Sequence, residues 1–98
     1  MLQTIRYVGD NVKIIKIGAI WCPGCLVMKK VWKNIMKDYS ELNIQELDYD
    51  MDSLEVNKYN PGKILPVHIF LDDKGNELER LVGEQKEETL RDKIIKYK

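Results

Sequence analysis

The sequence predicts an α/β fold, a mixed β-sheet covered by helices on both faces. Two short, β-branched apolar runs alternate with segments of helical period, a hairpin signal follows, and the chain closes on a last amphipathic stretch. Strand, helix, strand, helix and then a hairpin imply parallel pairing at the start of the chain and antiparallel pairing at its end.

The first strand is expected over Val12 to Ile20 (VKIIKIGAI), too short to span a membrane and apolar enough to be buried on both faces. From Pro23 onward, Met28, Val31, Trp32, Ile35 and Tyr39 recur at helical spacing with Lys29, Lys30, Lys33 and Lys37 opposite, which makes an amphipathic helix with a solvated lysine face. Proline suits its first turn, where a backbone N–H would have no partner. Trp32 falls on the core stripe and is expected to pack there.

Asn43 to Asp48 (NIQELD) reads as a second strand, and Asp52 to Tyr59 as a short helix ended by Asn60-Pro61-Gly62. Val67 to Leu71 (VHIFL) is a buried-strand candidate. The turn 72–76 (DDKGN) and the run ending at Val82-Gly83 complete a hairpin. From Glu84 to Lys98, Leu90, Ile94, Ile95 and Tyr97 mark a closing helix, acidic at its start and basic at its end, as the helix dipole favours.

The chain has 98 residues, 44% of them hydrophobic, enough for one core, so a single domain over residues 1–98 is expected. Sixteen basic and sixteen acidic side chains cancel, which gives no general attraction to nucleic acid or anionic lipid. The opening MLQTIRYVGDNVKIIKIGAIW is interrupted by Arg6, Asp10, Lys13 and Lys16. It fits neither a signal-peptide core nor a membrane span, and a cytoplasmic location is expected by default.

Cys22 and Cys25 are the only cysteines. A structural bridge between them would close a very short loop, restrict the unfolded chain little, and not persist in a reducing cytosol. Zinc would need further ligands, and the chain offers only His68, on a distant strand. A coincidental pair is the remaining bland alternative. Redox chemistry suits the position, because a thiol at the end of a strand and the start of a helix meets free N–H groups and the positive helix end, which favour the thiolate. Cys25, one turn on, is placed to attack a mixed disulfide formed at Cys22.

Trp21-Cys22-Pro23-Gly24-Cys25 after an apolar strand, Ile64-Leu65-Pro66-Val67 before another, the Gly75 hairpin and Val82-Gly83 ahead of a last helix resemble, in order and spacing, the thioredoxin superfamily. The resemblance covers nearly the whole chain. It implies a thiol-disulfide oxidoreductase without a bound cofactor or metal, working on protein disulfides and recharged by a thioredoxin reductase or a small thiol. It also implies a cis bond at Leu65–Pro66, which an X-Pro linkage permits most readily. The Leu65 backbone would then receive an extended substrate segment like an added strand. Trp21, Pro23, Leu65 and Gly83 would form an apolar rim around Cys22. A trans proline that merely starts a strand is the alternative at Pro66.

The sequence departs from the family at several points. Where thioredoxins carry an acid six residues before the first cysteine, this chain has Lys16, and Glu46 falls where a lysine often faces that acid. The charges would be exchanged, and a fully buried pair beneath Cys25 would cost about 3–5 kcal/mol to break. The alternative is that both side chains reach water independently. Pro23-Gly24 reverses the thioredoxin order between the cysteines, and a proline after the first cysteine is similar to glutaredoxins and the oxidising Dsb enzymes. No histidine lies between the cysteines, which points to the reducing half of the family range. Val67 stands where threonine commonly follows the proline, and His68 is expected to be a satisfied core residue rather than a redox group.

Two other functions fit the same residues. One is an interaction or redox-sensing module whose cysteines do not turn over. The other is a glutaredoxin-like, glutathione-dependent enzyme, for which no site for the glutathione carboxylates is evident. The expected state is a monomer.

Overall fold

A computed structural model describes residues 12–97. The opening stretch and the final Lys98 lie outside the described residues. The described elements are β1 (Lys13–Gly18), α1 (Pro23–Asp38), β2 (Asn43–Asp48), α2 (Ser53–Asn57), β3 (Val67–Leu71), β4 (Glu77–Val82) and α3 (Glu87–Tyr97). The strands form one mixed sheet in the order β2-β1-β3-β4. β1 runs parallel to β2, while β3 pairs antiparallel with both β1 and β4.

Alternation along the two central strands sends side chains to both faces of the sheet. Ile14 and Phe70 join Met28, Trp32 and Ile35 of α1 and Leu90 and Ile94 of α3 in one cluster. Ile15, Ile17, Val67 and Ile69 meet Leu47 and Val56 in a second cluster on the opposite face, beneath α2. This two-sided burial accounts for the nearly unbroken apolar runs of β1 and β3. It is also the predicted architecture, a sheet flanked by helices on both faces.

Element ends differ from the sequence expectation where tertiary contacts decide them. β1 stops at Gly18 because its ladder to β2 ends at Gly18–Asp48 and its ladder to β3 at Ile17–Val67. Ala19 to Trp21 instead form a turn, closed by the Cys22 N–H on the Ala19 carbonyl at 3.2 Å, that leaves Ile20 83% exposed. α3 begins at Glu87 rather than Glu84. The preceding Gln85 donates its backbone N–H to the Met28 sulfur at 3.3 Å and its side-chain amide to the Val82 carbonyl at 3.0 Å, which ties the segment to α1 and β4. α2 keeps only the centre of its expected span.

The β3–β4 turn owes its shape to Asp72, whose carboxylate accepts the N–H groups of Lys74 (2.9 Å) and Asn76 (2.8 Å). Gly75 takes φ 88° there, a conformation that disfavours any side chain. No helix among the described residues is long and apolar enough to cross a membrane.

Candidate active site

The two cysteines lie where β1 hands over to α1. Cys22 is the N-cap of α1, with Pro23 in the first turn, and its sulfur accepts the Cys25 N–H at 3.2 Å. A sulfur in this position meets the unpaired donors and positive end of a sixteen-residue helix, both of which favour negative charge on it. Both thiols are free. Cys22 is only 5% exposed, and Cys25 is the less buried of the two. Partial burial, and then the hydrogen bond with Cys22, push the Cys25 thiol up to about 11.

Around the pair, Trp21 is 61% exposed, yet it is held at both edges of its ring system. Its indole N–H donates to Asp50 Oδ2 at 2.6 Å, and it meets the Tyr49 ring edge-on at 6.3 Å between centroids. Pro23 is exposed, Leu65 and Gly83 are half-buried, and Pro66 and Val67 are buried. The Leu65–Pro66 peptide is cis, and the Pro66 carbonyl accepts the Gly83 N–H at 2.7 Å. Gly83 has φ 86°, which favours glycine over a residue with a side chain. Gly24 is crowded from outside, since a methyl group there would lie 3.1 Å from Glu84 Cγ.

Below the cysteines, one row of the sheet runs Glu46, Lys16, His68 across β2, β1 and β3. Lys16 Nζ stands 3.9 Å from Glu46 Oε2 and 5.3 Å from the centre of the Trp32 ring. The Lys16 side chain is 16% exposed and that of Glu46 72% exposed. Burial holds the lysine below the usual value, with the Glu46 charge opposing that shift. A fully buried ion pair is therefore corrected to a half-buried one, because β2 is an edge strand and its glutamate turns outward into water.

His68 is fully buried, and both ring nitrogens are occupied. Trp32 Nε1–H donates to Nδ1 at 3.2 Å, so the ring proton sits on Nε2, which faces the Gly83 carbonyl at 3.3 Å. Burial lowers its value to about 4, and the ring is neutral at physiological pH. With both nitrogens satisfied by the protein, His68 links the middle of α1 to Gly83 at the end of β4 and has no free proton site.

Two residues next to the pair were not apparent in the sequence. Asp50, which anchors Trp21, lies in a loop with no motif to mark it. Gly18 lets the end of β1 approach Cys25 closely, for a methyl group there would come 3.1 Å from the Cys25 sulfur. Among the described residues, no group of three or more His, Cys, Asp or Glu is arranged to hold a metal ion.

The thioredoxin family model matches residues 4–96. This chain belongs to the thioredoxin family. It is 28% identical over 85 residues to a thioredoxin of Pongo abelii, covering 87% of this chain and 79% of that one. With a Staphylococcus epidermidis thioredoxin it shares 28% over 89 residues, covering 90% and 84%. Among solved structures, Fasciola hepatica thioredoxin superposes with a TM-score of 0.79 at 23% identity, over 99% of this chain and 93% of that one. Thioredoxin NaTrxh from Nicotiana alata gives 0.80 at 23%, over 99% and 85%. The fold is thus the thioredoxin fold, and family membership brings thiol-disulfide oxidoreductase chemistry in general, with Cys22 and Cys25 spaced as its Cys-x-x-Cys motif.

Proposed function

We propose that the protein is a reductase of protein disulfides, acting as one domain in the cytoplasm and as a monomer. The Cys22 thiolate attacks one sulfur of a substrate disulfide, giving a mixed disulfide and releasing the other substrate sulfur as a thiolate. Cys25 then loses its proton to solvent and attacks the Cys22 sulfur, so the second substrate thiolate departs and a Cys22–Cys25 bond remains. Two electrons have passed to the substrate. A thioredoxin reductase or a small thiol returns them, with no metal or bound cofactor.

The observation that carries this reading is the Cys25 N–H on the Cys22 sulfur at the tip of α1, with Cys25 itself held as a thiol until it is needed. Trp21, Pro23, Leu65 and Gly83 serve as the apolar rim, and the Leu65–Pro66–Val67 backbone receives an extended substrate segment. Lys16 supports the pair from below by placing positive charge near Cys25, and Glu46 pairs with that lysine.

Insulin reduction followed by turbidity tests the proposal. Wild type is expected to accelerate precipitation over the background of a dithiol reductant, and Cys22→Ser to lose the acceleration. A wild type that does no better than background sinks the reductase reading in favour of a module that does not turn over. Supplying glutathione and its reductase as the only reductant tests the glutaredoxin-like alternative.

A further inference from the structure

Gly18 ends β1 beside Cys25, and its missing side chain has a consequence for access. A methyl group there would come 3.1 Å from the Cys25 sulfur and 3.6 Å from its Cβ, so only bare backbone fits between the end of β1 and that sulfur. A cavity of about 440 Å³ adjoins it, walled by Gly18, Cys25, Leu26, Lys16, Lys29 and Glu46 among others. Cys25 borders this cavity and Cys22 does not, while Pro66 gives it one wall in common with the substrate platform. This matches the exposure of the pair, in which Cys25 is the less buried cysteine.

The walls carry both signs of charge. Lys16 and Lys29 supply ammonium groups, and Glu46, Asp48 and Asp52 supply carboxylates. Asp48 and Asp52 already accept backbone N–H groups, which fixes their orientation. The volume suits a molecule of amino-acid to small-peptide size rather than a protein loop.

We propose that this cavity is a second entrance to the redox pair, through which a small zwitterionic thiol of the amino-acid type reaches the Cys25 sulfur, while protein disulfides use the Cys22 face. It deepens the reductase reading, on which it rests, by assigning the electron donor a class and a route. In the oxidised protein the donor thiolate attacks the Cys25 sulfur, the Cys22–Cys25 bond breaks, and its electron pair leaves with Cys22. A second donor thiolate attacks the donor sulfur of the new mixed disulfide, releasing the donor disulfide and the Cys25 thiolate, and both protein thiolates take up protons. Two donor thiols are oxidised and one protein disulfide is reduced. The Cys22 sulfur departs onto a helix tip and the Cys25 N–H, which stabilise it as a leaving group.

The test runs the second step backwards. In Cys22→Ser, Cys25 is exposed to cystine, and formation of the Cys25 mixed disulfide is followed by mass. Adding Gly18→Ala, or Leu26→Trp to crowd the cavity without touching the sulfur, is expected to slow the reaction at least about tenfold. The neutral hydroxyethyl disulfide is expected to react at least about tenfold more slowly than cystine. Trapping of insulin by Cys22 in Cys25→Ser, with and without Gly18→Ala, reports that the site remains folded and is expected not to change. Equal cystine rates in the open and crowded proteins, or hydroxyethyl disulfide as fast as cystine, overturn the entrance. Wild type that fails with insulin while Cys25 still takes cystine through the Gly18 side removes the reductase reading and keeps the entrance. The reverse pattern keeps the reductase and removes the entrance.

Discussion

Lys16 and Glu46 face each other across the β1–β2 ladder with 3.9 Å between their charged atoms, yet only the lysine is shielded from water. A glutamate that stays largely solvated is screened and gains little from the contact, so the pair belongs with surface ion pairs of about 0–1 kcal/mol rather than with buried ones. In a urea-unfolding cycle of Lys16→Met, Glu46→Gln and the double variant, the coupling is expected to stay below about 1 kcal/mol. Lys16→Met alone removes a charge beside Cys25 that favours its thiolate, and is expected to lower the rate at which the mixed disulfide resolves. A coupling of several kcal/mol contradicts the half-buried geometry.

His68 gives a stability that depends on pH. Its folded value of about 4 lies below the ordinary 6.5, so between these values the unfolded chain binds the proton that the folded chain excludes. Stability is therefore fully present above pH 6.5 and lost as pH falls toward 4, by as much as about 3 kcal/mol. Urea midpoints measured across that range are expected to fall with pH, and His68→Gln, whose amide does not titrate, is expected to flatten the His68 part of the slope. An unchanged slope in the variant removes His68 as its source.

Much of this arrangement is legible in the sequence, and the residues show why. Helical spacing from Met28 through Ile35 and the five-residue run Val67 to Leu71 are local patterns, and the structure keeps them because the core they face is the same core that selected them. The cysteine pair is also local, since its spacing and the preceding strand already place it at a helix start. Residues whose role depends on a distant partner are different. Nothing near Gly18 signals that Cys25 will lie against it, nothing near Asp50 signals Trp21, and His68 shows its protonation state only once Trp32 and Gly83 stand on either side of it. β1 ends at Gly18 rather than Ile20 for the same reason: Ile20 is as apolar as Ile17, but no strand remains beside it to pair with.

Cys25 sets the alkaline behaviour of the site. With its thiol pushed to about 11 from an ordinary 9.0, the folded protein holds a proton that the unfolded chain releases, so stability present below pH 9 is lost as pH rises toward 11. In Cys22→Ser, burial remains as the leading cause although the hydrogen bond to Cys22 is gone. Alkylation of Cys25 by iodoacetamide is then expected to rise with pH to a midpoint above 9.0. A midpoint at or below that value would contradict partial burial as the dominant influence on this sulfur.

Trp21 and Asp50 offer a test of the rim that leaves the cysteines untouched. The indole N–H meets the carboxylate at 2.6 Å, a charge-assisted hydrogen bond, and Tyr49 supports the ring from its edge. Because the contact is exposed, it adds little to global stability, and Asp50→Ala is expected to cost less than about 1 kcal/mol in urea. The indole itself would lose its fixed direction, and a rim that must be ordered on docking binds more weakly. Insulin reduction by Asp50→Ala is therefore expected to show a KM higher by about twofold to fivefold with kcat little altered, the pattern of lost uniform binding. A fall in kcat at constant KM would instead make Asp50 part of the chemistry of the sulfur pair, because losing an interaction made only in the transition state lowers turnover and not affinity.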